Sequence, residues 1–355
     1  MTSRPISDNL LPDSAEHNDG RLAVGGCDVL DLSSAFGTPV LIYDEQQLID
    51  RCNEAVVAFP AGVAFASKAF LCRAMARIAH DAGMHIDVAT GGEISVALAA
   101  GVPATRLVFH GNNKSRAELG YAISEGVGKI VVDSSDEIDR IETVLEPGMK
   151  VPSVLIRLNP GVEAHTHEYL KTGVADSKFG FPIADGIAER AIIRARNSAA
   201  MNFSGLHLHV GSQVFDVASF GGAIEAVAPL AKMADAEELS VGGGLGVAYV
   251  DGEEAASISD WAGVVHRVAD ACGVDAAITA EPGRAIVASA AVTAYTIGTI
   301  KEVPGIRTYV SVDGGMSDNP RPVLYGSGYE AFLPRSVDAD RAKRVRIVGK
   351  HCESG

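Results

Sequence analysis

Apolar residues fall into short, nearly continuous runs separated by amphipathic stretches. "VAFAS" opens at Val63, "HIDVA" at His85, "LVFHG" at Leu107, "KIVVD" at Lys129 and "SVLIRLN" at Ser153. Successive starts therefore lie 22, 22, 22 and 24 residues apart. The intervals read as helices. In "CRAMARIAHDAGM", Met75, Ile78, Ala79 and Ala82 recur at helical spacing and Gly83 marks the stop. "GEISVALAAGV" fills the next interval in the same way. Further runs, "SGLHLHVG" from Ser204, "LSVGGG" from Leu239 and "AAITAEPG" from Ala276, bring the count to eight. Strand–helix alternation predicts a parallel sheet, and runs without polar alternation suit strands covered on both faces. Eight such units close a (β/α)8 TIM-type barrel. A doubly wound open sheet is the competing arrangement. It needs no such count and usually carries a glycine fingerprint at its first turn, where this chain has "FASKAF".

The flanks differ. "AAVTAYTIGTIKEV", "RTYVSVDGG" and "RVRIVG" are β-like without helical intervals. The pattern predicts a second, mainly β domain built from both chain ends. Residues 1–35 supply its first strand, 36–286 form the barrel, and 287–355 form the C-terminal β part. The wider gap between the fifth and sixth runs holds "EAHTHEYLKTGVADSKFGF", expected to be a loop insertion over the barrel mouth.

Composition narrows the class. The chain has 355 residues, 47% apolar and 21% charged, which is globular composition. A net charge of −15 disfavours nonspecific attraction to nucleic acid or anionic membrane. The first twenty residues lack the apolar core of a signal peptide, and no stretch reads as a membrane span. Five cysteines without CxxC spacing argue against a disulfide framework or a zinc site. Cys27, Cys52, Cys72 and Cys272 read as small apolar fillers. A cytoplasmic enzyme or binding protein is the expectation.

Active-site residues of a parallel barrel project from the C-terminal strand ends. Those positions carry Lys68, Asp87, His110, Asp133, Arg157, His207 with His209, Gly242, Gly243 and Gly244, then Glu281 with Arg284. Singly, each has a bland reading: a strand-end Asp is often an N-cap, and a His is often a satisfied core residue. Together they are too polar for chance. A lysine just after an apolar strand is expected to be partly desolvated, with a lowered pKa, and able to attack a carbonyl to form a Schiff base. Three glycines expose backbone N–H groups that can approach an anion, and Ser212 in "GSQ" could add a hydroxyl. Glu281 could pair with a protonated ring nitrogen. Lysine, phosphate cradle and carboxylate together describe pyridoxal phosphate.

Longer motifs sharpen this. "FASKAF", "HLHVGSQ", "VGGGLG", "EPGR", "VDGGMSDNPRPVLYG" and "HCESG" resemble the motif series of the diaminopimelate decarboxylase family, in the alanine-racemase-like class of pyridoxal-phosphate enzymes. The resemblance runs from about Phe36 to the last residue. It implies that Lys68 holds the cofactor and that His209 stacks on its ring. It also implies that Ser212, Gly244 and Glu281, Pro282, Gly283 and Arg284 contact its phosphate and ring. Asp87, His110, Gly242 and Gly243 complete the expected cofactor site. Arg284, Arg321, Tyr325 and Glu353 match substrate-binding positions. Cys352 matches a catalytic cysteine contributed by a partner subunit, so a homodimer with shared active sites is implied.

The implied reaction is decarboxylation of meso-2,6-diaminopimelate to L-lysine and CO2, the last step of lysine biosynthesis. A carboxylate at the ring nitrogen favours decarboxylation over racemisation. Paired arginines suit a distal carboxylate by bidentate contact. Two alternatives stay open: a related decarboxylase acting on ornithine, arginine or a carboxylated polyamine, and a non-catalytic cofactor-binding relative. The family's chains continue past "CESG", so the β domain is expected to be incomplete here. Thr90 in "DVATGGE" stands where the family more often has Ser.

Overall fold

The computed structural model describes residues 5–161 and 177–352. The expected insertion falls largely outside the described residues; its last five, 177–181, lie within them. The chain divides into two compact units. One comprises Met1–Leu48, Ala248–Glu254 and Ala288–Gly355; the other comprises Ile49–Val247 and Ala255–Val287.

The second unit is the barrel. Its strands are β1 (Ala64–Ala66), β2 (His85–Val88), β3 (Leu107–Phe109), β4 (Lys129–Val132), β5 (Ser153–Asn159), β6 (Asn202–Leu208), β7 (Glu238–Ser240) and β8 (Ala277–Thr279). They pair in parallel in sequence order. The ring closes between first and last: Val63 bridges Ala280 in parallel, and Ala64 N–H donates to Ala280 O at 2.9 Å. Closure leaves no sheet edge to be covered. Phe181–Pro182 adds a short parallel pairing onto the end of β5.

Local chemistry sets the helices between strands. Thr90 Oγ1 accepts the Glu93 N–H and caps Gly91–Ala99. Ser115 and Glu118 form a reciprocal capping box on Arg116–Glu125, and Gly126 ends that helix in the left-handed region. Inside the ring, Ala64, Val108, Val131 and Leu155 form one buried apolar cluster. Lys129 of β4 pairs with Glu238 of β7, and Thr279 of β8 donates to the same carboxylate at 2.8 Å. β4 and β7 are not neighbours in the sheet, so this pair spans the lumen.

The first unit is less uniformly β than the patterning predicts. Arg21–Val24 pairs antiparallel with Glu16–Asn18 and with Cys27–Asp28. Asp28 then caps a helix, Val29–Phe36, through the N–H groups of Leu30 and Asp31. Val40–Tyr43 pairs with Ala291–Ala294, and Arg307–Val312 pairs with Ile297–Val303 and Arg346–Val348. The pairing of Val40–Tyr43 outside the barrel explains why residues 36–48 group with the β unit, not with the barrel.

The cysteines also depart from expectation. Only Cys52 is fully buried, with burial pushing its thiol up to about 12. Cys27 is exposed, and Cys72 caps a helix by accepting the Met75 N–H. Among the described residues no helix is long and apolar enough to cross a membrane.

One buried ion pair was not foreseen. Lys114 Nζ donates to Glu137 Oε1 at 2.6 Å, to Val131 O at 2.6 Å and to Gly111 O at 2.8 Å, which uses all three of its donors. Burial pushes Lys114 down and Glu137 up, and each is opposed by the charge of the other. Removing one partner strands the other without water. Lys114→Ala should cost about 3–5 kcal/mol of unfolding free energy in denaturant titration. Lys114→Met combined with Glu137→Gln should recover most of it, because Gln still accepts the Asp133 N–H now bound by Glu137 Oε2. A single-variant loss below about 1 kcal/mol would contradict the pair's structural role.

Candidate active site

The strand-end residues converge as the barrel requires. Lys68 lies in a single 3-10 turn, Ser67–Ala69, directly after β1. Its placement depends on the loop after β8. Ala66 N–H donates to Pro282 O at 3.1 Å, and a Cβ on Gly283 would sit 2.9 Å from both Ala66 Cβ and Ala66 O. Pro282 and Gly283 thus hold the lysine turn by hydrogen bond and close approach. The expected partial desolvation is not found: Lys68 is exposed, because the turn lifts it off the strand end.

Glu281 is the electrostatic centre. It is 7% exposed, and both its oxygens are engaged. His207 Nε2 lies 3.0 Å from Oε2, and Ser240 Oγ donates to Oε1 at 3.0 Å. His110 Nε2 lies 3.2 Å from Oε1 and 3.7 Å from Asp87. Burial works to raise the Glu281 pKa, but the contacts with His110 and His207 win and hold it well below the usual carboxylate range. Burial drives His207 down to about 4, so the ring is neutral and donates through Nε2–H. Asp87 moves the opposite way: burial and the Glu281 charge push it up, against His110 and Lys68. Two buried acids in one pocket are therefore separated into an anion and a group that resists ionisation.

Arg157 and Asp133 form a second buried group. Arg157 Nη1 lies 3.4 Å from Asp133 Oδ2, and the guanidinium stacks 4.4 Å from the Phe179 ring. Asp133 also accepts the Gly180 N–H.

The glycine run is required more by packing than by any anion. A Cβ on Gly242 would meet Leu208 O at 2.4 Å, one on Gly243 would meet Glu281 O at 2.1 Å, and one on Gly244 would meet Gly211 O at 2.1 Å. The run is wedged between the loops after β6 and β8. Its N–H groups are then divided. Gly242 donates to Ser240 Oγ, and Gly243 donates to His209 Nδ1 at 3.2 Å. The Gly244 N–H has no acceptor among the described residues. Beside it, Arg284 Nη2 donates to Ser212 Oγ at 3.3 Å. The Gly243 bond makes His209 Nδ1 an acceptor, which fixes the tautomer and the ring. Desolvation and the nearby cations Lys68 and Arg157 hold His209 well below its ordinary pKa, so it is neutral.

Sequence reading brought Lys68, Asp87, His110, His207, His209 and Glu281 to one site, but it missed Ser240. A serine ending an apolar run looks like ordinary termination; only the pairing of β7 with β8 places it under Glu281. Arg321 and Tyr325 lie in the other unit, on one short helix, Arg321–Tyr325. Cys352 is exposed in that unit, and Glu353 lies outside the described residues.

Residues 45–288 match the family model described as pyridoxal-dependent decarboxylase, pyridoxal binding domain. The chain is 42% identical to diaminopimelate decarboxylase of Bacillus subtilis (strain 168), over 96% of this chain and 82% of that protein. It is 40% identical to the enzyme of that name from Mycobacterium tuberculosis (strain H37Rv), over 99% of this chain and 83% of the relative. Among solved structures, diaminopimelate decarboxylase from M. jannaschii in co-complex with L-lysine superposes with a TM-score of 0.88 at 30% identity. That match covers 98% of this chain and 83% of the other. With these matches spanning the barrel and the flanking β unit, the chain belongs to the diaminopimelate decarboxylase family of pyridoxal-dependent decarboxylases.

Proposed function

We propose that this chain decarboxylates meso-2,6-diaminopimelate to L-lysine and CO2 with pyridoxal phosphate. The observation that carries this is Glu281: a buried carboxylate held anionic in the same barrel mouth as an exposed, amine-bearing Lys68.

The residues present fit the cofactor. The Gly244 N–H, the Ser212 hydroxyl and the Arg284 guanidinium are the donor set a phosphate needs. The neutral His209 ring, fixed through Gly243, offers a face for stacking. Lys68 would anchor the group through its amine, and Asp87 and His110 line the same pocket. When bound, pyridoxal phosphate supplies an electron sink, a protonated pyridinium that takes up the electron pair left as CO2 departs.

The protein's part is electrostatic. Glu281 would hold a proton on the ring nitrogen, because the contacts with His110 and His207, in place before the reaction, keep its carboxylate ionised. Ser240 and the neutral His207 orient that carboxylate without competing for the proton. At the substrate's far end, Arg321 would grip the distal carboxylate by its planar fork, with Tyr325 beside it, and Glu353 would bind the ammonium of the partner subunit's substrate. An arginine there gives ornithine or arginine no advantage, since neither has that carboxylate.

We also propose a homodimer with shared sites. In this reading Cys352 of one subunit protonates the carbon left by CO2 in its partner's site. A thiol carries a proton that it can give up to a carbanion. A cytoplasmic location is part of the reading. All five thiols are unpaired, which suits a reducing compartment.

CO2 release from meso-diaminopimelate by the cofactor-loaded protein tests the activity. Glu281→Gln should retain the cofactor and lose about a hundredfold or more in kcat, the scale of removing one preorganised electrostatic group. An unchanged kcat would place the proton elsewhere. Borohydride reduction of the holoenzyme followed by peptide mapping should place the label on Lys68; a label on Lys114 or any other lysine rejects that anchor. For the shared site, Lys68→Ala and Cys352→Ala should each be inactive and should regain activity when mixed. Heterodimers that form without regaining activity would remove Cys352 from its partner's chemistry.

A further inference from the structure

Arg321 and Tyr325 sit four residues apart on their short helix, a spacing that places both on one face. The guanidinium carbon lies 5.5 Å from the Tyr325 ring centroid. It also lies 5.5 Å from the ring of Tyr249, which comes from the separate segment Ala248–Glu254 of the same unit. Tyr249 is itself fixed. Its N–H donates to Glu253 Oε2 at 2.8 Å, and its carbonyl accepts the Glu330 N–H at 3.3 Å. Its ring meets that of Tyr329 at 5.0 Å and 57°. Arg321 Nη2 donates to Ser327 Oγ at 3.1 Å, while Nε is buried without a hydrogen-bond partner. No carboxylate pairs with this guanidinium among the described residues. The cation is held in plane by two rings and one hydroxyl, and its charge is left for a ligand.

We propose that Tyr249 is a specificity-determining positioning residue: its ring fixes the plane of the Arg321 fork, and so sets how well a ligand carboxylate is met. The inference rests on the reading that Arg321 grips the distal carboxylate. A lysine or a swinging arginine could neutralise that carboxylate but could not meet both of its oxygens at once. A cation over an aromatic face is attracted by the ring quadrupole, more so when desolvated, and two rings restrict rotation about the guanidinium plane. Because the distal carboxylate stays on the product, L-lysine reports the same grip without the chemical step. 1,5-Diaminopentane, which lacks every carboxylate, does not.

The test compares Tyr249→Leu, Tyr249→Phe and Arg321→Lys in the holoenzyme, with retention of the cofactor's absorbance and of thermal stability as controls. Tyr249→Leu should raise KM for meso-diaminopimelate about three- to thirtyfold and weaken inhibition by L-lysine by a similar factor, the range a desolvated cation–π contact supplies. Inhibition by 1,5-diaminopentane should move less than about twofold, and kcat should stay within the same factor. Tyr249→Phe keeps the ring and should restore near-normal KM. Should Tyr249→Leu not fold, Tyr249→Met carries the same comparison. If Arg321→Lys raises KM while Tyr249→Leu does not, Tyr249 is packing only and the proposal is overturned. If Arg321→Lys leaves both KM and lysine inhibition unchanged, the distal-carboxylate reading fails, and the proposal fails with it. If Tyr249→Leu weakens lysine and 1,5-diaminopentane equally, the ring does not act through a carboxylate, and only the role assigned to Tyr249 is lost.

Discussion

Closure of the strand ring is the constraint from which the site follows. β1 and β8 are the most distant strands in sequence, yet Ala64 donates to Ala280 and Ala66 donates to Pro282. Lys68 comes two residues after the second of these bonds on one side, and Glu281 comes directly before its acceptor on the other. The hydrogen bonds that seal the barrel therefore also bring the amine and the carboxylate to one mouth. Gly283 makes this possible at short range, since a side chain there would push the lysine turn outward. An open sheet would leave Lys68 and Glu281 at opposite edges, with no means of cooperating.

The charge arrangement depends on that closure in turn. An isolated carboxylate this deeply buried would resist ionisation. Glu281 instead meets Ser240 from β7, His207 from β6 and His110 from the end of β3, three strands that only a ring can direct at one point. Asp87, on the neighbouring β2, has His110 but lacks the hydroxyl and the second imidazole, and it titrates in the opposite direction. The two acids differ in the groups reaching each, and the charge of Glu281 adds to burial in raising Asp87. Neither the residue type nor the depth of burial separates them, since Asp87 is 5% and Glu281 7% exposed.

What could be read from the chain, and what could not, divides along the same line. The strands were legible because a parallel, doubly covered strand is apolar throughout, and β2, β3, β4 and β5 begin where their apolar runs begin. The polar residues at the C-terminal ends stood out against those runs, so Lys68, Asp87, His110 and Glu281 could be named together. Ser240 and the Lys114–Glu137 pair could not. Their meaning lies in contacts between strands and helices separated by one or more β/α units, and a serine or a lysine in a loop has no local signature of burial. The exposure of Lys68 was misjudged for a related reason. Periodicity fixes where a strand ends, but not whether the next residues continue it or turn away, and here a single 3-10 turn decides. The helix Val29–Phe36 was missed within a flank that otherwise alternates like a sheet, although Asp28 is an N-cap of the kind that announces a helix.

The glycine run answers to packing as well as to any anion. Three consecutive glycines suggest an anion loop, and among the described residues one N–H, that of Gly244, has no acceptor. Yet the absence of side chains at all three positions is enforced from behind, by the carbonyls of Leu208, Glu281 and Gly211. Were the anion the sole requirement, an alanine at Gly243 would be tolerated, because that N–H is already spent on His209. The geometry opposes it: a Cβ there would fall 2.1 Å from the carbonyl oxygen of Glu281 itself. The loop that would cradle the phosphate thus also holds the carboxylate that would face the ring nitrogen. The two loops are also joined by the Glu281 N–H, which donates to Gly242 O at 2.8 Å, so a disturbance in the glycine run is carried to the carboxylate through the backbone with no side chain between them to absorb it.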